Sequence, residues 1–326
     1  MLKREKCTKR LGCTFLFLNR ELQLNSRRLG MEKILSYGAI LWDVFENEKY
    51  LGGAPLNLAA HLGRLGQEAY IYSAVGEDGY GDEAVKLIKE IGVRTDYIQH
   101  DDTHPTGYAK VILNENKAAQ YEFCENGTDR FITVTKEICE QITKERFGVF
   151  CYGTYCQQGA VSRATLKEIV NRCQFDIIFC DINIRDYECE LSMLTDSLSY
   201  CDVLKLNDEE VEFLAQRIYG SKQSEREVVE LLQDDYNIKI VCVTKGAKGC
   251  SIYTGKEAAV DVCGEVVEAI DTLGAGDAFS AGFLYGLLQG ESLSRCGELG
   301  NILGGYVASQ RGGIPKYSER ITKQMR

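Results

Sequence analysis

One short stretch decides how this chain folds, and it reads Asp271-Thr272-Leu273-Gly274-Ala275-Gly276-Asp277. Two carboxylates bracket a turn of small residues, and an amphipathic run that begins at Ala278 follows at once. We predict that a helix starts in this turn, so that its first backbone N–H groups lie at the positive end of the helix dipole. Such a terminus attracts a phosphate or a developing oxyanion. The alternative is an ordinary helix start with acidic capping residues.

Asp277 stands in the first turn of the predicted helix, next to its unpaired N–H groups. A carboxylate in that position could accept a proton while the backbone holds an anion. An acid–base group beside an anion hole is what the transfer of a phosphoryl group to an alcohol requires. On this stretch alone, the chemical role and the capping role stay equally open.

Length and composition describe an ordinary globular protein. The 326 residues can bury a substantial core, and 44% are hydrophobic while 26% are charged. Residues 1–30 hold eight Lys/Arg against two Glu, so the rest of the chain carries a net charge of about −16. That acidity argues against nucleic acid or an anionic membrane as a partner.

Cysteine and histidine usage narrows the chemistry. The fourteen cysteines form no Cys-x-x-Cys pair and no zinc spacing, and most lie in apolar runs. We interpret them as small buried hydrophobes of a reducing, cytoplasmic compartment. The sequence has only three histidines, of which His61 fits a packed helix. Base catalysis must therefore come from a carboxylate or a lysine.

Residues 1–30 differ from the rest of the chain. Five basic residues precede a short apolar run, residues 11–18, but no small-residue cleavage site follows. A regular strand pattern starts directly after Met31. We predict a disordered or mis-assigned extension over 1–30 and one domain over 31–326. No run of 18 apolar residues occurs, so no transmembrane helix is expected.

Strand-length apolar runs alternate with helical periodicity along most of the chain. The predicted strands are 33–40, 69–75, 148–152, 176–180, 203–206 and 239–243. The predicted helices are 55–65, 81–91, 161–173, 208–219 and 225–236. Two more are expected between residues 278 and 310, with a break near Gly290. This alternation predicts a parallel sheet with helices on both faces.

Two β-rich regions interrupt the alternation. They cover residues 42–51 and about 96–125, and the second contains runs of alternating polar and apolar residues. We predict that they form a small sheet set apart from the main one, as a lid.

The first helix is preceded by Gly52-Gly53-Ala54-Pro55-Leu56-Asn57. Two glycines let a ligand approach the backbone, and Asn57 offers both a donor and an acceptor. Asp43 follows the first strand and would reach the crevice at its carboxyl end. A carboxylate, an amide and bare backbone would together bind vicinal hydroxyls, as in a sugar. A tight turn and a solvated acid are the alternatives.

Two further segments follow strands at similar positions. Asn207 and Glu210 share one face of a helix start and could hold Mg²⁺, directly or through its waters, although a capping pair is locally the better interpretation. Residues 244–249 read Thr-Lys-Gly-Ala-Lys-Gly and form either a hairpin beside a nucleotide or a simple turn. They lack the Walker A spacing, and no Gly-x-Gly-x-x-Gly follows the first strand, so the dehydrogenase fingerprint is missing.

Taken together, these segments resemble the ribokinase-type (PfkB) family of carbohydrate kinases. The resemblance covers about residues 32–315; residues 271–277 are similar to the C-terminal family motif, and Gly52-Gly53 with its helix is similar to the N-terminal one. It implies a ribokinase-like α/β fold, with a mainly parallel central sheet, helices on both faces and a small β-sheet lid.

The resemblance also implies transfer of the γ-phosphoryl group of MgATP to a hydroxyl of a small sugar. Asp277 would be the general base, and the amides of Gly274, Ala275 and Gly276 would form the anion hole. The sugar-binding positions would be Asp43, Gly52, Gly53, Asn57, Asn183 and Arg185.

Nucleotide and metal positions follow from the same resemblance. Asn207 and Glu210 match an Asn-x-x-Glu element that supports Mg²⁺ through water, which favours that role over a cap. Asp271 falls where some members bind a monovalent cation such as K⁺, with Ala308 and Gly313 as further ligands. The ATP-binding residues would be Asn207, Thr244, Gly246, Gly249 and Asn301.

The segments around the sugar positions look like the fructokinase branch, which predicts conversion of D-fructose to fructose 6-phosphate. They comprise residues 41–45, 52–57, 105–107 and 181–185. The chain departs from that branch at Ile182, where fructokinases commonly have proline, and at 187–189. Ribose, keto-deoxygluconate, tagatose or a nucleoside therefore remain alternative substrates, and a non-catalytic sugar sensor is a further alternative. Lids of this family also make dimer contacts, so a homodimer is expected.

Overall fold

The structure is a computed structural model that describes residues 31–46, 48–113, 119–185 and 189–325. Its strands are, in chain order, β1 (Lys33–Tyr37), β2 (Leu41–Val44), β3 (Lys49–Gly52), β4 (Glu68–Gly76), β5 (Arg94–Asp101), β6 (Gly107–Leu113), β7 (Ala119–Phe123), β8 (Val149–Tyr152), β9 (Ile177–Asp181), β10 (Val203–Asn207), β11 (Ile240–Thr244), β12 (Cys250–Tyr253) and β13 (Val260–Val262). Its helices are α1 (Ala54–Arg64), α2 (Gly79–Ile91), α3 (Lys136–Glu145), α4 (Ala160–Arg172), α5 (Leu191–Tyr200), α6 (Asp208–Leu214), α7 (Glu225–Tyr236), α8 (Ala275–Leu288), α9 (Leu293–Ala308) and α10 (Glu319–Gln324).

Nine of these strands form one large sheet in the order β13-β12-β11-β10-β9-β8-β1-β4-β5. The seven strands from β11 to β5 run parallel, whereas β12 is antiparallel to both of its neighbours. Parallel strands need helical crossovers, so their carboxyl ends meet at one edge of the sheet. The predicted mainly parallel sheet is confirmed.

Helices cover both faces of the large sheet. On β1, Leu35 and Tyr37 pack in a core with α3, α4, α5 and α7, while Ile34 packs on the other side with α1, α8 and α9. Alternate strand residues point to opposite faces, so one strand contributes to both cores. Both cores consist of fully buried aliphatic and aromatic side chains, which fixes the register of the sheet.

A separate four-stranded sheet has the order β3-β2-β6-β7. The pair β2–β6 is parallel, and β3 and β7 pair antiparallel at the two edges. The predicted small sheet exists, but its second segment does not begin at residue 96. Residues 96–101 belong to β5, which lies at the edge of the large sheet beside β4. An edge strand is half exposed and alternates like a lid strand, which explains the error.

The other predicted elements occur with changed boundaries. The first strand ends at Tyr37 and not at 40, because Gly38 turns the chain with a φ of 142°. The helix predicted over 208–219 is α-helical to Leu214 and ends in a π-helical turn. Helices α3, α5 and α10 and strand β13 were not predicted; α10 and β13 are short, with six and three residues. The predicted extension over 1–30 lies outside the described residues. Among the described residues, no helix is long and apolar enough to cross a membrane.

Candidate active site

A cavity of about 470 Å³ opens at the carboxyl ends of β1, β8 and β9. Tyr37, Tyr152 and Asp181 are the last residues of these strands and line it. The small sheet supplies another wall through Leu41 and Phe123. Carboxyl ends of strands are where open α/β sheets bind ligands, so this cavity is the candidate active site.

The predicted helix start forms the floor of the cavity. Gly274 is the N-cap of α8 with a φ of 72°, a left-handed conformation that favours glycine, and Asp277 lies in the first helical turn. A Cβ on Gly274 would come within 2.6 Å of the Gly313 Cα, so the turn is also closely packed. Gly274 and Asp277 both line the cavity, whereas the Ala275 side chain does not. The structure therefore brings the helix terminus and the carboxylate together.

Asn57 links the two distant glycine motifs. Its Nδ2 donates a hydrogen bond of 2.7 Å to Oδ2 of Asp277, in a buried environment. Because a carboxylate only accepts, this bond turns the Asn57 Oδ1 away from Asp277. That Oδ1 is buried and accepts no hydrogen bond from the described part of the chain. A buried acceptor without a donor is costly unless a ligand supplies one.

A charged group that the sequence analysis missed lies beneath the start of α8. Asp181 accepts a hydrogen bond of 2.8 Å from Ser280 Oγ and one of 3.1 Å from Lys205 Nζ. Lys205 and Asp181 are paired in register on the parallel strands β10 and β9, which explains their contact. A Cβ on Gly276 would lie 3.4 Å from the Lys205 Nζ, so this cation reaches the helix terminus.

These charges act on each other. Burial disfavours the charged form of Lys205, but the nearby carboxylates of Asp181 and Glu210 outweigh burial and raise the pKa of this lysine. Burial is also the main cause that raises the pKa of Asp277, followed by Asp181. The hydrogen bond from Asn57 and the positive charge of Lys205 oppose that rise. Asp277 thus moves toward the range of a general base.

Asp43 also lines the cavity and is 6% exposed. Burial, followed by the charge of Asp277, raises the pKa of Asp43 to about 7. Gly52 is required beside it, because a Cβ there would come within 2.6 Å of the Asp43 Oδ2. Gly53 has a φ of 108°, and a Cβ would collide with the Ala39 carbonyl. Both glycines serve close packing, while Asp43 and Gly53 line the cavity.

Asn183 and Arg185 also line the cavity. Asn183 has a φ of 43°, which is unusual for a residue other than glycine. Arg185 is exposed, and its charge lowers the pKa of both Asp43 and Asp277 against the stronger effect of burial. The structure thus gathers the predicted sugar positions around one cavity, except for Gly52, which supports Asp43 from outside the lining.

Asn207 and Glu210 form a capping box at the start of α6. The Glu210 N–H donates to the Asn207 Oδ1 over 2.7 Å, and the Asn207 N–H donates to the Glu210 Oε2 over 2.8 Å. The other oxygen of Glu210 accepts from the Ile184 N–H at 2.9 Å. The local prediction of a cap is confirmed. A role toward Mg²⁺ through water stays a prediction, and no cluster of three acidic, histidine or cysteine ligands occurs among the described residues.

The predicted nucleotide positions lie beyond the lining of this cavity. Thr244 ends β11 in register with Asn207, and its Oγ1 donates to the Leu206 carbonyl over 3.2 Å. Residues 244–250 form the hairpin turn between β11 and β12, with Gly246 and Gly249 at positive φ. Asn301 on α9 donates to the Cys263 carbonyl over 3.0 Å. The hairpin is confirmed, and nucleotide binding there stays a prediction.

Asp271 shapes the turn before α8. Its Oδ1 accepts from the Leu273 N–H at 3.0 Å, and its Oδ2 accepts from the Gly312 N–H at 3.1 Å. The Ala308 carbonyl accepts from the Asp271 N–H at 3.2 Å, and the Gly313 carbonyl contacts a ring nitrogen of His61 at 2.9 Å. All these oxygens already have partners within the chain. A carbonyl oxygen that accepts one hydrogen bond keeps a second lone pair, and a monovalent cation site here stays a prediction.

Comparisons with known proteins agree with this geometry. The sequence matches the pfkB family of carbohydrate kinases over residues 19–320. It is 28% identical to the probable fructokinase-5 of Arabidopsis thaliana, over 81% of this chain and 84% of the relative. It is 30% identical to a fructokinase of Escherichia coli, over 72% of this chain and 76% of the relative. A crystal structure of a Vibrio cholerae fructokinase with fructose, ADP and calcium superposes with a TM-score of 0.77 at 22% identity, over 91% and 99% of the chains.

The chain belongs to the pfkB family of carbohydrate kinases, as its two glycine motifs indicate. The expected ribokinase-like α/β fold with a second small sheet is confirmed. The helix start, Asp277, Asn57 and Asp43 were singled out from the sequence. Lys205 and Ser280 were not, and Asp181 was named only as the first residue of the segment 181–185. The signals present were that segment and a lysine within the apolar strand that precedes Asn207.

Proposed function

We propose that this kinase transfers the γ-phosphoryl group of MgATP to a hydroxyl of D-fructose, forming fructose 6-phosphate. The carrying observation is the pair of Asn57 and Asp277, in which a buried Oδ1 without a donor lies beside a buried carboxylate. Two hydroxyls of one sugar satisfy both, since one can donate to the Asn57 Oδ1 while the other is deprotonated by Asp277. The cavity of about 470 Å³ is ample for one small sugar.

Asp277 acts as the general base in this proposal. It takes the proton from the attacking hydroxyl as the oxygen approaches phosphorus, and Asn57 fixes the orientation of its carboxylate. The N–H groups of Gly274 and Gly276 would face the charge that develops on the transferring group. The Ala275 N–H, which was also predicted for this role, donates to the Thr272 carbonyl over 3.2 Å. Lys205 supplies a buried positive charge at the same point. Asp181 accepts from its ammonium, and Ser280 donates to the other oxygen of Asp181.

Asp43 and Arg185 orient the sugar from the other side of the cavity, together with Asn183. Phe123 and Leu41 of the small sheet exclude water from the transferred group when a sugar is bound. This is the lid that we propose for the small sheet, and its exposed outer face is where we expect a homodimer contact. Water exclusion would limit wasteful hydrolysis of ATP.

The nucleotide would lie along the hairpin turn at 244–249 and the Asn301 side of α9. A Mg²⁺ ion would be held by its own waters, with Asn207 and Glu210 in support. The described residues contain no cluster of three acidic ligands. Mg²⁺ does not need one, because it keeps several waters and binds chiefly to phosphates. When bound, the ion neutralises phosphate charge.

Fructose is favoured by the fructokinases among the relatives and by the fructose-bound neighbour structure. One observation favours a second candidate, a sugar acid such as keto-deoxygluconate. The exposed guanidinium of Arg185 lines the cavity, and no ion pair within the described residues uses it. A guanidinium recognises a carboxylate better than a hydroxyl.

Coupled ADP release tests the proposal with fructose, ribose, tagatose, keto-deoxygluconate and nucleosides as acceptors, each with and without K⁺. We expect kcat/KM for fructose to exceed that of every other acceptor by at least about tenfold. A higher value with keto-deoxygluconate would replace fructose by the sugar acid. Absence of turnover with every acceptor, while sugar still binds, would favour the sensor.

A further inference from the structure

Behind the active site, the segment 311–317 connects three parts of the molecule. Gly312 donates to Asp271 in the turn before α8, and a Cβ on Gly312 would lie 3.0 Å from Tyr50 of the small sheet. A Cβ on Gly313 would come within 2.9 Å of the Asn57 Nδ2. The Cα of Gly313 is also the close neighbour of Gly274, the N-cap of α8. Any displacement of Gly313 therefore moves both Asn57 and the anion hole.

His61 holds this segment in place from helix α1. Its Nε2 lies 2.9 Å from the Gly313 carbonyl oxygen, and its Nδ1 lies 2.7 Å from the Tyr317 hydroxyl. A carbonyl can only accept, so Nε2 must carry the proton and Nδ1 must accept from Tyr317. The ring is fully buried and stacks on Tyr317 at an interplanar angle of 9°.

The second partner of the segment is Arg64, one turn further along α1. It donates to the carbonyls of Pro315 and Ile314, the latter over 3.2 Å. Asn57, His61 and Arg64 lie on one face of the helix, at the spacing that places side chains above one another. One face of α1 thus carries both the contact to Asp277 and the clamp on the segment behind it.

We propose that His61 is a positioning residue for the phosphoryl-transfer step: its neutral Nε2–H holds Gly313 against Asn57 and Gly274, and so fixes the general base and the anion hole relative to each other. This inference rests on the proposed function for its kinetic consequence, but the tautomer and the contact to Gly313 do not depend on it. His61 touches neither the cavity nor a reacting atom, so it acts through Gly313.

The surroundings of His61 keep it neutral. The groups that face it are the Gly313 carbonyl, the Tyr317 hydroxyl and the guanidinium of Arg64. Burial is the main cause that lowers the pKa of His61 to about 4; the Gly313 carbonyl opposes this fall and the charge of Arg64 adds to it. The clamp therefore persists unchanged across the physiological pH range.

The effect of the clamp should be visible in the titration of Asp277. This carboxylate faces Asp181 on β9, Lys205 on β10, Arg185 and Asp43 on β2. The hydrogen bond from Asn57 lowers its pKa. If Gly313 moves and this bond weakens, the pKa of Asp277 rises, and the acidic limb of the kcat profile moves to higher pH.

Three His61 and Tyr317 variants test the kinetic role. We expect His61→Leu to lower kcat at least about tenfold with both KM values within about threefold, and to shift the acidic limb upward. His61→Gln places an amide N–H near the Nε2 position and should recover kcat to within about threefold. Tyr317→Phe should have an intermediate effect, and His100→Leu, at an exposed histidine, should change nothing.

Equal losses in His61→Gln and His61→Leu, or an unshifted pH profile in an impaired variant, would overturn the proposal. Should His61→Leu fail to fold, Gly313→Ala probes the same contact from the other side. Gly313 has no positive φ, so the added Cβ acts through its approach to Asn57 and not through backbone strain. Unchanged kcat in that variant would equally overturn the proposal.

A measurement that needs no activity is ¹⁵N-histidine NMR of the wild-type protein. With three histidines in the sequence, the His61 signals are assigned by their loss in His61→Gln. We expect the neutral Nε2–H tautomer throughout pH 5.5–8.5. The Nδ1–H tautomer or a titrating imidazolium would overturn the clamp, whereas a failed substrate screen would overturn only the proposed function.

Discussion

Two groups of residues around the cavity are built in different ways. We call them the transfer end and the sugar end, after the roles that we propose for them. At the transfer end, Asp277, Asp181 and Lys205 are buried and joined to one another or to Asn57 and Ser280 by hydrogen bonds. At the sugar end, Asp43 has no side-chain hydrogen bond within the described residues, and Arg185 is exposed. Apart from the Asn57 Oδ1, which has no donor, this network is hydrogen-bonded and holds its geometry before any ligand arrives, which suits a reaction step common to a family. Groups without partners leave recognition open to different substrates.

The largest expected effect comes from Asp277→Asn. Loss of the base should lower kcat by about 10²–10⁴-fold, while sugar affinity changes less than about threefold because the amide keeps the shape of the site. Single-turnover kinetics and calorimetric titration with sugar measure the two quantities. Retention of more than a tenth of kcat would show that the transfer end does not depend on this carboxylate.

Lys205→Met tests whether the buried cation serves the reaction or only its partner. Removal of a preorganised charge should lower kcat by about 10²-fold. The double variant Asp181→Asn/Lys205→Met restores charge balance, so recovery of kcat in it would mean that Lys205 acts only as an ion-pair partner. Lys239→Met is the matched control, because it breaks an ion pair of 2.9 Å with Asp202 away from the cavity. Steady-state kinetics of all three variants with ATP decide between the roles.

At the sugar end, Arg185→Ala should act on binding and not on turnover. We expect the KM for fructose to rise by roughly tenfold with kcat within about threefold, since the guanidinium contacts ground state and transition state alike. A sugar-acid substrate would lose at least about tenfold more than fructose. Arg163→Ala on α4, which breaks an ion pair of 2.8 Å with Glu190 at the start of α5, provides the control. A loss of kcat alone would assign Arg185 to the transfer end instead.

The last prediction concerns stability near the small sheet and not the rate of the reaction. Asp129 is 2% exposed, and its carboxylate packs closely against Gly107 and Gly127. Gly107 begins β6, and Gly127 follows β7. Burial raises its pKa to about 7. The folded state thus binds a proton that the unfolded state has released, so stability should fall between about pH 4 and 7.

Asp129→Asn should remove this part of the pH dependence, which is roughly 2–4 kcal/mol. Urea unfolding of both proteins at pH 5, 6, 7 and 8 measures it. The sign follows because the folded protein loses the stabilisation from a bound proton as the pH rises through the raised pKa of Asp129. This loss is complete above about pH 7. Parallel pH curves for the two proteins would contradict the prediction. Asp96→Asn, at an exposed ion pair with Arg94, serves as the control.

Local sequence patterns predicted the elements that have a clear periodicity or a recognisable turn. The alternation of apolar runs predicted the parallel sheet, and the turn at 271–277 predicted the start of α8. The predicted boundary of the lid was wrong because β5, an exposed edge strand, has the same alternation as a strand of a separate sheet. Periodicity reports which residues alternate between exposed and buried, but not which sheet a strand joins.

The fold class and the family were predictable from the sequence alone, which also singled out Asp277, Asn57 and Asp43, whose chemical roles stay predictions. Only the tertiary structure decided how they act together. Asn57 and Asp277 are 220 residues apart, and Ser280 and Asp181 are 99 residues apart, yet each pair shares a hydrogen bond. The physical reason is that a parallel sheet brings all its carboxyl ends to one edge, whatever the distance along the chain. The roles that we propose for Lys205 and His61 depend on neighbours that are distant in the sequence, so no local pattern indicates them.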